Sequence, residues 1–411
     1  MANRNGGFIG TDGLDAPDPP TAVTPTGGNA SVSVAFTAPT DTGTSAITGF
    51  VAQVSTDGTN YSAGSNTGSS SPIVVSSLTN GTAATAKVWA INAYGTSAPS
   101  DASASFTPAA PWVGTRGVWA GGYNPSSGSE DTMEYVTITT TGNATDFGNL
   151  SRVAYTQGGN GVSNGSRGVF GGITNNFGVA NEIEYITFAN TGNSTDFGDL
   201  TVARDATAGM SSGVRGVFAG GTGQSQSEFF NVMDYITIAS TGNATDFGDL
   251  SVGRQFNGGV SNGTRGAVGG GETNSGYSDV IDYITIASAG NATDFGNLTV
   301  GRRTVTSATS ETRGIWAGGD RGSSAIKNEI DYVTISSTGN ASDFGNLLAA
   351  THHLSGTSST TRAVIAGGKT GSAEGTIQNV IQYIEMASTG NASDFGDLSG
   401  VRQDMQACSG S

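Results

Sequence analysis

Six Asp-Phe-Gly triplets, at Asp146, Asp196, Asp246, Asp294, Asp343 and Asp394, are the first residues whose type and order could do chemistry. An Asp in that setting can hold a divalent cation against a nucleotide's phosphates. The other parts of such a site are missing: no His-Arg-Asp segment follows, and no strand lysine stands upstream. Six copies read instead as an Asp-capped turn. Gly367-Gly368-Lys369-Thr370 ends like a phosphate-cradling loop, but position 363, where the first glycine is required, is Ala363. His352 and His353 are adjacent, and neighbours in a strand point to opposite faces, so they do not form a two-histidine metal site. Cys408 is the sole cysteine, which excludes an internal disulfide and a thiolate cluster. No cofactor is expected. The Asn-x-Ser/Thr triplets at Asn143, Asn193, Asn243, Asn291, Asn340 and Asn391 could accept glycans. Without a secretory signal they read as Asn after Gly in a tight turn.

These motifs recur because the elements that carry them recur. An Arg before an apolar run ending in small residues falls at Arg116, Arg167, Arg215, Arg265, Arg313 and Arg362, in steps of 51, 48, 50, 48 and 49. A Tyr opening a β-branched run keeps phase with it at Tyr135, Tyr185, Tyr235, Tyr283, Tyr332 and Tyr383. A period near 50 lies in the range of propeller blades. Each unit offers four short strands; in the third copy they are predicted at Ala206–Ser211, Arg215–Gly220, Met233–Ala239 and Asp249–Arg254. No segment carries apolar residues at helical spacing over three turns. The fold class is therefore all-β, with residues 112–411 forming a six-bladed β-propeller. The first copy lacks a leading strand, while Val401–Ser411 is surplus at the end, with Arg402 aligning with Arg204 and Arg254. The C-terminus should supply the first blade's missing strand and close the ring.

The order Leu250, Arg254, Gly270-Gly271, Tyr283, Phe295 resembles kelch repeats, with Phe where those units carry Trp and a longer gap from the Tyr to that aromatic. The TGNATDFG turn is similar to repeats in tailed-phage virion proteins. It also resembles the Asp-box of sialidase propellers, nearest at Ser194, Asp196 and Gly198, without the non-repeated acids and arginines a sialidase site needs. Galactose-oxidase-like copper chemistry fails for want of His ligands. Residues 18–108 read as a separate β-sandwich, with alternating strands in VSVAFTAP, ITGFVAQVS, SPIVVSSL and AKVWAINAYG. The stretch LTNGTAATAKVWAINAYGTSAPSDA resembles fibronectin type III domains. The tyrosine of that family's corner would fall at Ala84, so Trp89 or Tyr94 is expected to pack in its place. Residues 1–17 read as an arm, with Phe8 and Ile9 as its anchoring pair.

Net charge is −16 with three lysines, so no basic patch exists to neutralise phosphates and nucleic-acid binding is not expected. No apolar run reaches 18 residues, so no membrane insertion is expected. Gly is 65 of 411, against a usual share of about 7%, and the excess goes into turns. The N-terminus has no apolar core of a signal peptide. What repeats six times reads as framework; each repeated Arg, such as Arg215, is expected to bond the Asp246 turn of its own blade.

Function should then sit where copies differ, in the loops after Gly-Gly, which share one face. Their aromatics Tyr123, Phe177, Phe229, Phe230 and Tyr277 are the candidate binding residues. The chain reads as a non-enzymatic virion structural protein (tail fibre, appendage or head fibre), present in many copies. Its arm would bind other virion proteins, and its propeller a host-surface polysaccharide or outer-membrane protein. The alternatives are a decoration protein without a ligand and a glycan-degrading enzyme. The loop acids Glu130, Asp131, Glu272 and Glu374 are scattered over different repeats, against the paired carboxylates that enzyme needs.

Overall fold

The computed structural model describes residues 15–28, 31–79, 82–108, 114–155, 159–175, 178–225, 227–322, 325–371 and 375–410. Among them every regular element is a β-strand. The chain divides into two compact units, Met1–Ala110 and Pro111–Ser411.

The first unit has two antiparallel sheets. β1 (Thr21–Gly28), β2 (Ser31–Thr37) and β5 (Ile73–Ser76) lie in the order β1-β2-β5. β3 (Ile47–Ser55), β4 (Ala63–Gly68), β6 (Thr85–Asn92) and β7 (Gly95–Thr96) lie in the order β4-β3-β6-β7. Strand alternation puts Val32, Val34, Phe36, Phe50, Ala52, Val54, Val75, Ala86, Val88 and Ala90 into one shared core. The missing tyrosine at Ala84 is not replaced as expected. Tyr94 is exposed and Trp89 is half-buried on the outward side of β6. Ala84 instead forms a backbone bridge with Phe106, whose ring fills the corner. Ser97, Ser100 and Ser103 satisfy the edge of β6. Their N–H groups donate to Ala90, Val88 and Ala86, and their Oγ atoms accept from the same three residues. Asp15 and Pro17 belong to this unit, since Asn92 donates to the Asp15 carbonyl and Pro17 is buried. Phe8 and Ile9 lie outside the described residues.

Among the described residues the second unit contains six four-stranded antiparallel sheets, numbered 1 to 6 by their second strands Arg116–Ala120, Arg167–Gly171, Arg215–Ala219, Arg265–Gly269, Arg313–Ala317 and Arg362–Ala366. Sheet 3 is representative, with strands Ala208–Ser211, Arg215–Ala219, Val232–Thr237 and Thr245–Asp249 in chain order. Its fourth strand is therefore Asp-Phe-Gly itself, not the predicted Asp249–Arg254, which instead crosses to sheet 4. The triplet escapes simple alternation because a bulge between Met233 and Asp234 shifts its register. Gly248 sits there at φ 133°, and a Cβ on it would come within 2.6 Å of the Gly290 backbone of the next sheet. Sheet 1 takes its first strand from the far end of the chain: Gln406–Gly410 pairs with Arg116–Ala120, Cys408 opposite Val118.

Consecutive sheets share apolar cores. Phe218 of sheet 3 packs among Val169, Ile183 and Phe197 of sheet 2, and Trp119 of sheet 1 packs among Val364, Phe395 and Leu398 of sheet 6. The first strands approach through small residues. Gly259 has no room for a Cβ, which would lie 2.4 Å from the Gly209 carbonyl. Asn160 reaches from sheet 2 to sheet 5, donating to the Ser307 carbonyl and hydroxyl at 3.0 and 2.8 Å. The space these strands enclose admits little more than one water centre, about 10 Å³.

Candidate functional site

The repeated residues clasp neighbouring sheets. Arg215 lies over the Tyr235 ring of its own sheet, 4.1 Å from the centroid, and Tyr235 meets Phe247 edge-on. Its guanidinium then donates to the carbonyl of Ile286, in sheet 4. The expected bond to Asp246 is absent from this network, because the stacked guanidinium points out of its own sheet. The other five do the same: Arg116 to Phe188, Arg167 to Ile238, Arg265 to Ile335, Arg313 to Met386, and Arg362 back to Ile138 of sheet 1. The repeated Asn side chains act in parallel. Asn243 Oδ1 accepts from the Asp199 N–H of the preceding sheet, and Asn143 from Asp397 of sheet 6. Asn after Gly is thus more than a turn former.

A second arginine set is buried beneath the segments that cross between sheets. Arg204, Arg254, Arg302 and Arg402 meet Asp234, Asp282, Asp331 and Glu134, respectively, on the third strand of the sheet they enter. Both partners of every pair are buried. The acid also accepts from the crossing segment's backbone, as Asp234 does from Thr201 N–H at 3.1 Å. Sheets 6 and 2 depart from this. In sheet 6 the Arg position is Thr351, the acid position is Gln382, and the amide oxygen still accepts from Leu348 N–H. In sheet 2 the Arg position is Ala154, yet the acid, Glu184, remains and is buried.

The differing residues lie at the opposite end, where second strands turn into third strands. These connections are short hairpins: Tyr123–Asn124 pairs with Gly128–Ser129, and Glu272–Thr273 with Gly276–Tyr277. Tyr123 and Tyr277 are exposed, while Phe229 and Phe230 are half-buried, the former bridged to Thr222. Tyr123, Phe229 and Tyr277 stand on hairpins of three different sheets, so the structure spreads them along one end and does not gather them into a pocket. Tyr277 is engaged by Arg303, 5.5 Å from its centroid. Phe177 and Glu374 lie outside the described residues.

Beside these hairpins runs a chain of ion pairs that sequence reasoning missed. Glu272 pairs with Arg303 at 2.7 Å and Arg303 with Asp320 at 3.1 Å, and the His352 Nδ1 stands 3.4 Å from Asp320. Burial opposes the charge on Asp320. Bonds from His352, Thr304 and Gly322 N–H, with the Arg303 charge, nevertheless hold its carboxyl well below the usual range. His353 pairs with Asp404 of sheet 1 at 2.5 Å. Burial opposes its protonation, but the Asp404 carboxylate outweighs that and raises its pKa. The two imidazoles do not point to opposite faces: His353 has φ 57°, which breaks the alternation and leaves the rings 4.6 Å apart. In sheet 3 Asp205 stands where Arg303 and His352 stand in sheets 5 and 6, bridged to Thr222 in place of Asp320. Burial pushes the Asp205 carboxyl up to about 6, against the Thr174 hydroxyl bond and with Asp404 adding to the rise. Among the described residues no group of three His, Cys, Asp or Glu could hold a metal ion.

Comparison with protein-family models and with curated proteins finds no match for this chain.

Proposed function

We propose that the chain is a virion structural protein whose second unit is a six-bladed, kelch-like β-propeller, and whose first unit is a fibronectin type III-like spacer. The observation that carries the propeller is the closure. Gln406–Gly410 pairs with Arg116–Ala120, and Arg362 of sheet 6 donates to Ile138 of sheet 1 as each other sheet does to its successor. In a closed ring all six variable hairpins share one face. That face carries exposed tyrosines, Ser, Asn and Gly, which suit weak contacts with a glycan or protein surface. Many copies on a particle would turn weak sites into firm attachment. The N-terminal segment read as an arm, residues 1–17, would bind other virion proteins ahead of the point where Asp15 and Pro17 join the first unit.

The test is a glycan-array and host-cell binding screen of the full chain, with imaging of particles that carry it. Binding weakened by Tyr123→Ala and Tyr277→Ala together is the expected result. Absence of the chain from particles would overturn the virion reading. Its presence there with no binding to glycan or cell would leave a decoration protein. That second reading is favoured by one observation: the candidate aromatics stand apart on separate hairpins.

A further inference from the structure

Six copies of one unit give six versions of the buried slot that Arg204 fills in sheet 3, and five are chemically closed. Four hold a guanidinium against a carboxylate, and sheet 6 has neither charge, with Thr351 and Gln382. Sheet 2 alone keeps the carboxylate and loses the cation. At that spot a cavity opens, lined by Glu184, Gln406, Ala154, Tyr155, Ile173 and Phe170, with Leu150 and Ala120 behind.

The buried polar lining, Glu184 and Gln406, turns acceptor oxygens toward the space. Glu184 takes bonds from Ser151 N–H at 3.1 Å, from Ser151 Oγ, and from Ser194 Oγ at 2.5 Å. The two Ser151 donors match what sheet 3 supplies to Asp234 from Thr201, while the Ser194 hydroxyl is an added neutral donor where sheet 3 has Ala244, and it brings no positive charge to the slot. Gln406 donates its Nε2 to the Gly171 carbonyl, which fixes the orientation of its amide. Its Oε1 is buried, and no donor among the described residues reaches it. A carboxylate and an amide oxygen thus face a space that in four sister sheets holds a positive charge.

Size narrows the occupant. Ile173 partly fills the slot, and the space left to the centre of a water-sized body is about 10 Å³, close to one water. A guanidinium is too broad for it, whereas a primary ammonium has nearly the size of water and three donors. The walls around it are hydrocarbon, suited to an unbranched methylene stem. Tyr155 is the one lining residue that is not buried, and it marks the mouth.

We propose that this cavity, between sheets 1 and 2, binds a primary ammonium on an unbranched alkyl stem, the chemistry of a lysine side-chain end. The ammonium takes the place of the absent arginine against Glu184, and Gln406 Oε1 accepts a second of its bonds. The inference does not depend on the virion reading, since it rests on the cavity alone.

The test is thermal unfolding of the full chain with n-butylammonium and methylammonium chloride, against sodium chloride at equal ionic strength and against glucosamine, whose amine sits on a ring carbon. Expected is a saturating rise in Tm, larger for n-butylammonium than for methylammonium and absent for the two controls. Glu184→Gln, nearly the same shape, should weaken the apparent affinity about tenfold or more. Ala154→Lys should abolish the response by supplying the ammonium and its stem from within. A rise that does not saturate, that sodium matches, or that survives Glu184→Gln would overturn the proposal and leave water as the occupant. If Glu184→Gln loses its native circular dichroism, Ala154→Lys decides alone: an undiminished response in that variant refutes the site.

Discussion

Sheet 3 and sheet 2 each hold a carboxylate at the same place on the third strand, Asp234 in one and Glu184 in the other, and surround it differently. Asp234 meets Arg204, both partners fully buried at 2.9 Å. Glu184 meets only Ser151 and Ser194. In both, the acid accepts the backbone N–H that begins the crossing segment, Thr201 in one and Ser151 in the other. That bond is common to all six sheets, and Gln382 makes it without a charge. The acceptor is therefore the constant requirement of the fold, and the buried ion pair is an addition in four sheets. An addition of this kind is not optional once made. Removing one partner leaves an uncompensated charge away from water, while replacing both can be neutral. Sheet 6 is what replacing both looks like.

The largest expected effect tests that asymmetry. Asp234→Asn or Asp282→Asn should lower the stability of the second unit by about 3–5 kcal/mol, because Arg204 or Arg254 then has no counter-charge. Adding Arg254→Met to Asp282→Asn should recover most of the loss, by analogy with Thr351 and Gln382. Urea titration of the full chain, following the second unit's transition, measures both. A cost for Asp282→Asn below about 1 kcal/mol would show that the pair carries no such liability.

The hairpin end offers the same comparison in another form. Asp320 has Arg303 and His352, whereas Asp205 has Thr174 and no cation. Its folded pKa of about 6 lies above the ordinary 3.8. The folded state thus binds the proton more tightly, and stability falls as pH rises from about 4 to 6. Asp205→Asn should raise stability at pH 7 by on the order of 3 kcal/mol and flatten that part of the profile. His353 works in the same sense at higher pH. Its raised pKa means that its contribution is complete below the ordinary histidine value of 6.5 and is lost as pH climbs through the folded value. Thermal unfolding across pH 4–8 reads both. A wild-type profile that rises with pH from 4 to 6 would contradict the assignment.

A smaller effect is expected at the opposite end. Arg215→Ala removes one stacked guanidinium and one bond to Ile286, at a cost of about 1–2 kcal/mol. Asn243→Ala removes one bond to Asp199 N–H and should cost about 1 kcal/mol. Arg362→Ala breaks the equivalent clasp between the two ends of the repeat array, and also the pair with Glu385. Its cost should be no less than that of Arg215→Ala. A markedly smaller cost would mean that the sixth sheet is not held to the first as the others are held to each other.

The strands were legible in the sequence because their markers repeat in phase. Arg215, Tyr235 and Gly220-Gly221 sit where the pattern puts them, and so does the surplus segment at the end. The fourth strand was displaced because Asp246-Phe247-Gly248 reads as a turn by composition, and only the bulge opposite Met233 makes it a strand. The direction of Arg215 was hidden for a different reason: a periodic sequence cannot say whether a repeated contact stays within its copy or passes to the next. The buried pairs were within reach. Arg204, Arg254, Arg302 and Arg402 stand with Asp234, Asp282, Asp331 and Glu134, and Thr351 with Gln382, so an alignment of the six copies links them, with Ala154 and Glu184 as the exception. The hairpin-end ion pairs were not within reach, since Glu272, Arg303, Asp320 and His352 come from three sheets and follow no period.

The smallest expected effect on stability is also the sharpest test of the opening contrast. Glu184→Gln keeps the shape of the side chain and an amide oxygen that can accept from Ser151 N–H, as Gln382 does from Leu348. It loses the charge, which weakens the bonds from the two serine hydroxyls. It also relieves a buried carboxylate of standing without a cation. These terms oppose one another, and the net should stay within about 1 kcal/mol in either direction. Asp234→Asn makes the same chemical change at the same place in the next sheet, where the arginine is present. A difference of about 2 kcal/mol or more between the two variants exceeds what the one other local difference, the Ser194 hydroxyl where sheet 3 has Ala244, can supply, and measures what the guanidinium adds. Equal costs would mean that the cation is irrelevant, and that the acid serves both sheets only through its backbone bond.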